Sequence, residues 1–374
     1  MTARKEDRKN MKKVILVFGT RPEAIKMCPL VLELKKSSRL EVKVCVTGQH
    51  KEMLEQVLDI FGVVPDFNLA IMKQGQDLTD VNVAVLLGMR DILKQEKPDV
   101  VLVHGDTSTA YAASLAAFYQ QIPTGHVEAG LRTNNIWSPY PEEFNRQAIG
   151  LTATYHFAPT ELSRQALLRE GKDPAKIYVT GNTGIDAMNY TIREDFQDPI
   201  LDWSRGSRLL LVTAHRRENL GEPMARMLRA IRRVAEEFPD VKVVYPMHKN
   251  PKVREIARRE LGDCPKVLLT EPQDVVAFHN LMKRSYLILT DSGGIQEEAP
   301  ALGKPVLVMR DTTERPEGVQ AGTLRLVGTD FDGIYAACRE LLTNPHSYKI
   351  MSKAQNPYGD GQASRRIREI LEQG

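Results

Sequence analysis

The segment Asp291-Ser292-Gly293-Gly294-Ile295-Gln296-Glu297-Glu298-Ala299-Pro300 combines a serine, two glycines and an acidic pair behind the apolar run Tyr286-Leu287-Ile288-Leu289. The run reads as a buried strand, and the residues after it as the start of a short helix ending at Gly303. At such a junction the first backbone N–H groups of the helix have no partner within the helix. They form a ready anion site, and glycine lets a phosphate approach the main chain. Ionised carboxylates only accept hydrogen bonds, so the acidic pair one turn on suits hydroxyls. Phosphate and hydroxyls at one place point to a nucleotide. An ordinary strand–turn–helix corner accounts for the same segment about as well when it stands alone.

Other polar clusters follow other strand candidates. Val14–Phe18 runs into Gly19-Thr20-Arg21-Pro22-Glu23-Ala24-Ile25-Lys26. Proline belongs at a first helical turn, and Arg21 and Lys26 beside it suit a phosphate or a plain solvated cap. Val100–Val103 runs into His104-Gly105-Asp106-Thr107. Asp106 is expected to cap the next helix unless it faces a cleft. Glu128 stands between small residues in Gly125-His126-Val127-Glu128-Ala129-Gly130, and Glu142 follows two prolines in Pro139-Tyr140-Pro141-Glu142. If Asp106, Glu128 and Glu142 share one cleft, they are expected to raise one another's pKa, which keeps one carboxyl protonated for acid work. Leu209–Val212 leads to His215, among cations, and Val241–Tyr245 leads to His248. Arg315, Glu317 and Gly318 lie in a polar loop from Arg310 to Thr323, long enough to close over a ligand.

The elements that must position these groups alternate along the chain. Strand candidates are Val14–Phe18, Val42–Val46, Val100–Val103, Ile177–Val179, Leu209–Val212, Val241–Tyr245, Val267–Leu269, Leu287–Leu289 and Val306–Val308. Helical patterns between them include Met53–Ile60, Tyr111–Tyr119, Arg226–Phe238 and Val275–Lys283. Continuous apolar strands separated by helices indicate parallel sheets covered on both faces. A chain of 374 residues exceeds one comfortable core. The polar stretch Asn189–Arg208 marks the division. The expectation is an α/β protein with two doubly wound, Rossmann-like domains facing across a cleft: residues 14–188 and 189–361, after a charged tail 1–13. A net charge of +3 gives no case for nucleic-acid binding. Cys28, Cys45, Cys264 and Cys338 are too scattered for a zinc or disulfide framework. Apolar runs are short of a membrane helix, and a cytoplasmic location is expected.

Taken together the clusters resemble the non-hydrolysing UDP-N-acetylglucosamine 2-epimerases. The likeness rests on GTRPEAIK at Gly19–Lys26, HGDTST at His104–Thr109, HVEAGLRT at His126–Thr133, PEEFNR at Pro141–Arg146, TGN at Thr180–Asn182, TAHRREN at Thr213–Asn219 and DSGGIQEEAP at Asp291–Pro300. It runs from about Val14 to the C-terminus. It implies the GT-B fold, with a last helix at about 362–374 crossing back to the first domain. It implies reversible conversion of UDP-N-acetylglucosamine to UDP-N-acetylmannosamine by a cytoplasmic homodimer, without NAD or metal. Asp106, Glu128, Glu142 and His215 match the catalytic positions. Arg21, Lys26, Asp106, Glu128 and His215 also match substrate-binding positions. By the same resemblance Ser292, Gly293 and Gly294 hold the diphosphate, Glu298 the ribose, Gln273 and Phe278 the uracil, and Arg315 lies near the nucleotide. Some relatives bind a second UDP-N-acetylglucosamine as activator near positions matching Gln49 and His248. Glycine stands at Gly75 where some of those relatives carry arginine.

Three rivals remain at this stage. A hydrolysing epimerase would release UDP and free N-acetylmannosamine. A GT-B glycosyltransferase would need no acidic trio, and a nucleotide-sugar sensor would bind without turnover. A dinucleotide dehydrogenase lacks its G-x-G-x-x-G, since GTRPEA stands after the first strand.

Overall fold

The computed structural model describes residues 11–48 and 51–373. Most of the expected tail 1–13, and Gln49, lie outside the described residues. The chain divides into two compact units. The first runs to Tyr190 and takes back the segment from Tyr358 onward; the second is Thr191–Pro357.

The first unit is built on a seven-stranded sheet: β1 (Lys12–Phe18), β2 (Leu40–Val46), β3 (Phe67–Asn68), β4 (Val100–His104), β5 (Thr124–Val127), β6 (Tyr155–Ala158) and β7 (Ile177–Val179). The order is β3-β2-β1-β4-β5-β6-β7, and neighbouring strands are parallel. Side chains of β1 alternate between two cores. Val14, Leu16 and Phe18 pack with the helix Arg21–Leu34. Ile15 and Val17 pack with the helices Leu78–Glu96 and Ser108–Tyr119. Burial on both faces is why β1 reads as an unbroken apolar run. The last helix, Ala363–Gln373, buries Ile367 and Leu371 against the same core as Arg21–Leu34. Its first amides, of Ala363 and Ser364, donate to the buried carboxylate of Asp186 at 3.1 and 2.6 Å. This satisfies orphan donors at the helix start.

The second unit repeats the plan. Its strands are β8 (Arg208–Thr213), β9 (Val241–Pro246), β10 (Val267–Thr270), β11 (Leu287–Thr290), β12 (Val306–Val308) and β13 (Leu324–Leu326). The parallel order is β10-β9-β8-β11-β12-β13. Leu210 and Val212 face one core, Leu209 and Leu211 the other.

All nine expected strands are present. Four were not expected: β3 is two residues long, β5 and β6 carry buried polar residues (Thr124, His126, His156), and β13 is a three-residue edge. In each sheet the strand order reverses direction at the central pair, β1/β4 and β8/β11. Loops leaving the carboxyl ends on either side of that point diverge and leave a crevice. Arg21 and Asp106 follow β1 and β4; His215 and Gly293 follow β8 and β11.

Candidate active site

In the first unit two of the three expected acids, Asp106 and Glu128, converge on a cation not singled out from the sequence. Arg146, buried in the helix Glu142–Thr152, donates through Nη2 to the Asp106 carboxylate and, at 3.3 Å, to Glu128 Oε1. Its Nη1 donates to the Glu128 carbonyl. Lys26 pairs with Glu128 Oε2 from the other side. His104 Nε2 lies 3.6 Å from that oxygen, and Asn182 Nδ2 donates to it at 3.4 Å. Glu128 is 8% exposed and has φ of +64°. A side chain in this left-handed region costs about 1–2 kcal/mol, and such strain persists where surrounding contacts over-determine the geometry.

The electrostatics correct one expectation. Burial pushes the Glu128 carboxyl up, but Lys26, His104 and Arg146 outweigh it and hold the group well below the usual carboxylate range. Neighbouring acids do not decide the shift of Glu128, because the fold interleaves Lys26 and Arg146 with them. His104 is itself pushed down to about 4, chiefly by burial, so it is neutral near pH 7.

Asp106 does not cap its helix. Thr107 does, accepting from the Ala110 amide at 3.0 Å, which leaves the Asp106 carboxylate to Arg146. Glu142 opens the helix that carries Arg146, one turn earlier and on the same side. Its Oε2 is buried without a hydrogen-bond partner among the described residues. A capping box closes the helix start after β1, with Thr20 Oγ1 accepting from the Glu23 amide at 3.4 Å. Buried Glu23 accepts from the amides of Gly19 and Thr20 at 3.1 and 2.8 Å, and from the Thr107 hydroxyl at 2.7 Å. The cap is therefore buried rather than solvated, and Lys26 is committed to Glu128. Arg21 is half-buried in the first helical turn.

In the second unit the glycine corner is open. Ser292, Gly293 and Gly294 are partly exposed, and the Ser292 side chain caps no amide of the helix Gly293–Ala301. A Cβ placed on Gly293 would lie 3.6 Å from Arg315 Nη2 and 3.9 Å from Arg216 Nη2. Two guanidinium edges therefore border the first helical residue, a cradle fit for a phosphate. Arg315 is oriented by buried Glu297. Glu298 is half-buried, with Oε2 3.7 Å from His279 Nε2. His215 is held by Asp291, whose Oδ2 accepts the amides of His215 and Arg216 at 2.9 Å and whose Oδ1 lies 3.3 Å from the imidazole Nδ1. Its ring stacks on His248, centroids 5.4 Å apart, so His248 belongs beside His215. Gln273 donates to Thr270 Oγ1 and to the Glu271 carbonyl, and half-buried Phe278 packs on the second-unit core.

Sequence reasoning missed Arg146, Asp291 and Arg216, and it expected hydroxyls at the acidic pair, of which Glu297 is instead taken by Arg315. A signal for Arg146 existed: it stands four residues after Glu142 in a helical pattern, so the two share a face.

Two parallel, doubly wound units, each with polar groups at its topological switch point, define an α/β enzyme of the GT-B type. A family model described as UDP-N-acetylglucosamine 2-epimerase matches residues 32–372. The UDP-N-acetylglucosamine 2-epimerase of Bacillus subtilis is 59% identical over 359 residues, 96% of this chain and 94% of its own. That of Escherichia coli K12 is 54% identical over 371 residues, covering 96% and 98%. The crystal structure of the Neisseria meningitidis UDP-GlcNAc 2-epimerase bound to UDP-GlcNAc superposes with a TM-score of 0.88 at 48% identity, over 97% of this chain and 100% of that one. The chain belongs to the UDP-N-acetylglucosamine 2-epimerase family, and it is an enzyme of that class.

Proposed function

We propose that the chain interconverts UDP-N-acetylglucosamine and UDP-N-acetylmannosamine by eliminating UDP and adding it back. A base takes the C2 proton, the C1–oxygen bond breaks, and the electron pair forms a C1=C2 double bond. The products are 2-acetamidoglucal and UDP. The β-phosphate oxygen then re-forms its bond at C1 while C2 receives a proton on the opposite face. Two groups are needed, one for each face of the ring. Asp106, Glu128 and Glu142 are the candidates in the first unit.

The observation that carries this reading is the binding of Asp106 and Glu128 to one buried guanidinium, with Glu128 held ionised. The C2 proton is weakly acidic, so elimination depends on stabilising departing UDP. Ser292, Gly293, Gly294, Arg216 and Arg315 are assigned to its diphosphate, with His215 assisting. Glu298 is assigned to the ribose, Gln273 and Phe278 to the uracil, and Arg21 to phosphate. The reading includes a homodimer in the cytoplasm and no NAD or metal. Among the described residues no helix is long and apolar enough to cross a membrane.

Incubation with UDP-N-acetylglucosamine in heavy water, followed by proton NMR, tests the reading. Deuterium should enter C2 of both nucleotide sugars as they approach equilibrium. Free N-acetylmannosamine accumulating in step with UDP would replace it with the hydrolysing reaction. Turnover without C2 label would remove proton abstraction altogether.

A further inference from the structure

Arg146 touches both acids through one nitrogen, and its place in the fold explains why. Its second nitrogen holds the carbonyl of Glu128, the residue whose backbone lies in the left-handed region. The preceding side chain, Asn145, donates to the Asp106 carbonyl at 2.9 Å. One helix, Glu142–Thr152, thus grips the loop after β4 and the loop after β5 by backbone and side chain together. A guanidinium does not titrate in proteins, so Arg146 is neither acid nor base. Two acceptors competing for one donor are coupled: when one is neutralised by a proton, the other keeps the whole ion pair.

We propose that Arg146 is a positioning residue that couples the protonation of Asp106 to that of Glu128. It makes the arrival of a proton on one carboxyl favour ionisation of the other. The inference rests on the epimerisation argued above and deepens it. A reaction that removes a proton from one face of C2 and supplies one to the other needs one carboxyl ionised and one protonated in each half-reaction. The other groups around the pair are Lys26 from the helix Arg21–Leu34, His104 at the end of β4, His126 on β5 and Glu142 one turn before Arg146. Of these, Lys26 and His104 lie on the Oε2 side of Glu128, whereas Arg146 Nη2 reaches both carboxylates.

The test uses the full chain with Arg146→Met and Arg146→Lys. The readouts are kcat, KM, the pH profile of kcat/KM, UDP affinity by calorimetry, and C2 deuterium exchange. Losing a cation within hydrogen-bond reach raises a carboxylate pKa by about 1–3 units. Arg146→Met should therefore move the acid limb of the profile upward by about one unit or more, with UDP affinity unchanged. Arg146→Lys keeps the charge but not the fork. It should leave the acid limb near that of wild type, while kcat and C2 exchange fall together by at least about ten-fold at unchanged KM. A folded Arg146→Met with an unmoved acid limb would overturn the proposal. Should that variant not fold, Arg146→Lys with wild-type kcat and exchange would overturn it instead. Failure of the epimerisation reading has a different sign, because the wild-type enzyme itself would then release free N-acetylmannosamine or show no C2 exchange.

Discussion

The polar groups of the two units follow equivalent strands of equivalent sheets, yet they are built in opposite ways. In the first unit the chemistry is buried: Glu128 and Arg146 are both under one-tenth exposed, and the acids are already met by protein cations. In the second unit the backbone at Gly293 and Gly294 is partly open, and the cations stand at its edge, oriented by acids behind them. The difference suits the tasks proposed for the two regions. Proton abstraction needs carboxylates whose charge and direction are fixed in advance, which requires enclosure. Binding a diphosphate needs N–H groups left free and no Cβ in the way. One architecture serves both because the switch point supplies only a crevice and the loops decide what fills it.

The largest effect that separates the two regions is expected from Glu128→Gln. The amide keeps the shape but cannot take a proton, so kcat should fall by about 10²–10⁴-fold. UDP affinity should hold, since the residues proposed for the nucleotide, Arg21 apart, lie in the second unit. Calorimetric titration with UDP beside steady-state kinetics checks this. An equal loss of UDP affinity would mean the two regions do not divide the work. The converse substitution is Gly293→Ala. Its methyl would sit 3.6 Å from Arg315 Nη2, an ordinary contact, so the folded protein has no reason to lose stability. It would, however, occupy the place proposed for a phosphate oxygen. UDP affinity should drop about ten-fold, about 1.4 kcal/mol, with Tm unchanged. An unaltered Kd would show that the diphosphate lies elsewhere.

How far the sequence made these regions legible differs between them as well. The glycine corner was readable because its signal is local: a strand, two glycines and a helix start within one segment. The sheets were readable wherever strands are buried on both faces, as in β1 and β8. β5 and β6 were not, because His126 and His156 interrupt the apolar pattern while being buried themselves. The acids were located, but their electrostatics were not. Lys26, Asp106, Glu128 and Arg146 come from four separate stretches, and their contacts follow only from sheet order. The same holds for Asp291. It reads as the first residue of a phosphate loop, yet it is fully buried and serves to hold His215 and Arg216.

Those buried histidines give the smallest and most specific expectation. His104, on β4, and His156, on β6, are each pushed down to about 4, mainly by burial, and His126 on β5 well below its ordinary value. A histidine with a depressed folded pKa binds fewer protons when folded than when unfolded. Its neutral form is therefore no burden above pH about 6.5. As pH falls from there toward 4, the unfolded chain gains protons that the folded one refuses, and stability drops. Each histidine contributes at most about 1.4 kcal/mol per pH unit within that window. Depressed carboxylates such as Glu128 act only lower, as pH falls below the ordinary carboxylate range. Scanning calorimetry from pH 7.5 down to 5.5 should show Tm falling before carboxylates titrate, and His156→Gln should flatten the fall if the variant packs. A Tm unchanged over that range would mean the histidines are hydrated or paired in the folded enzyme. The enclosure that sets the first unit apart from the open corner of the second would then have to be given up.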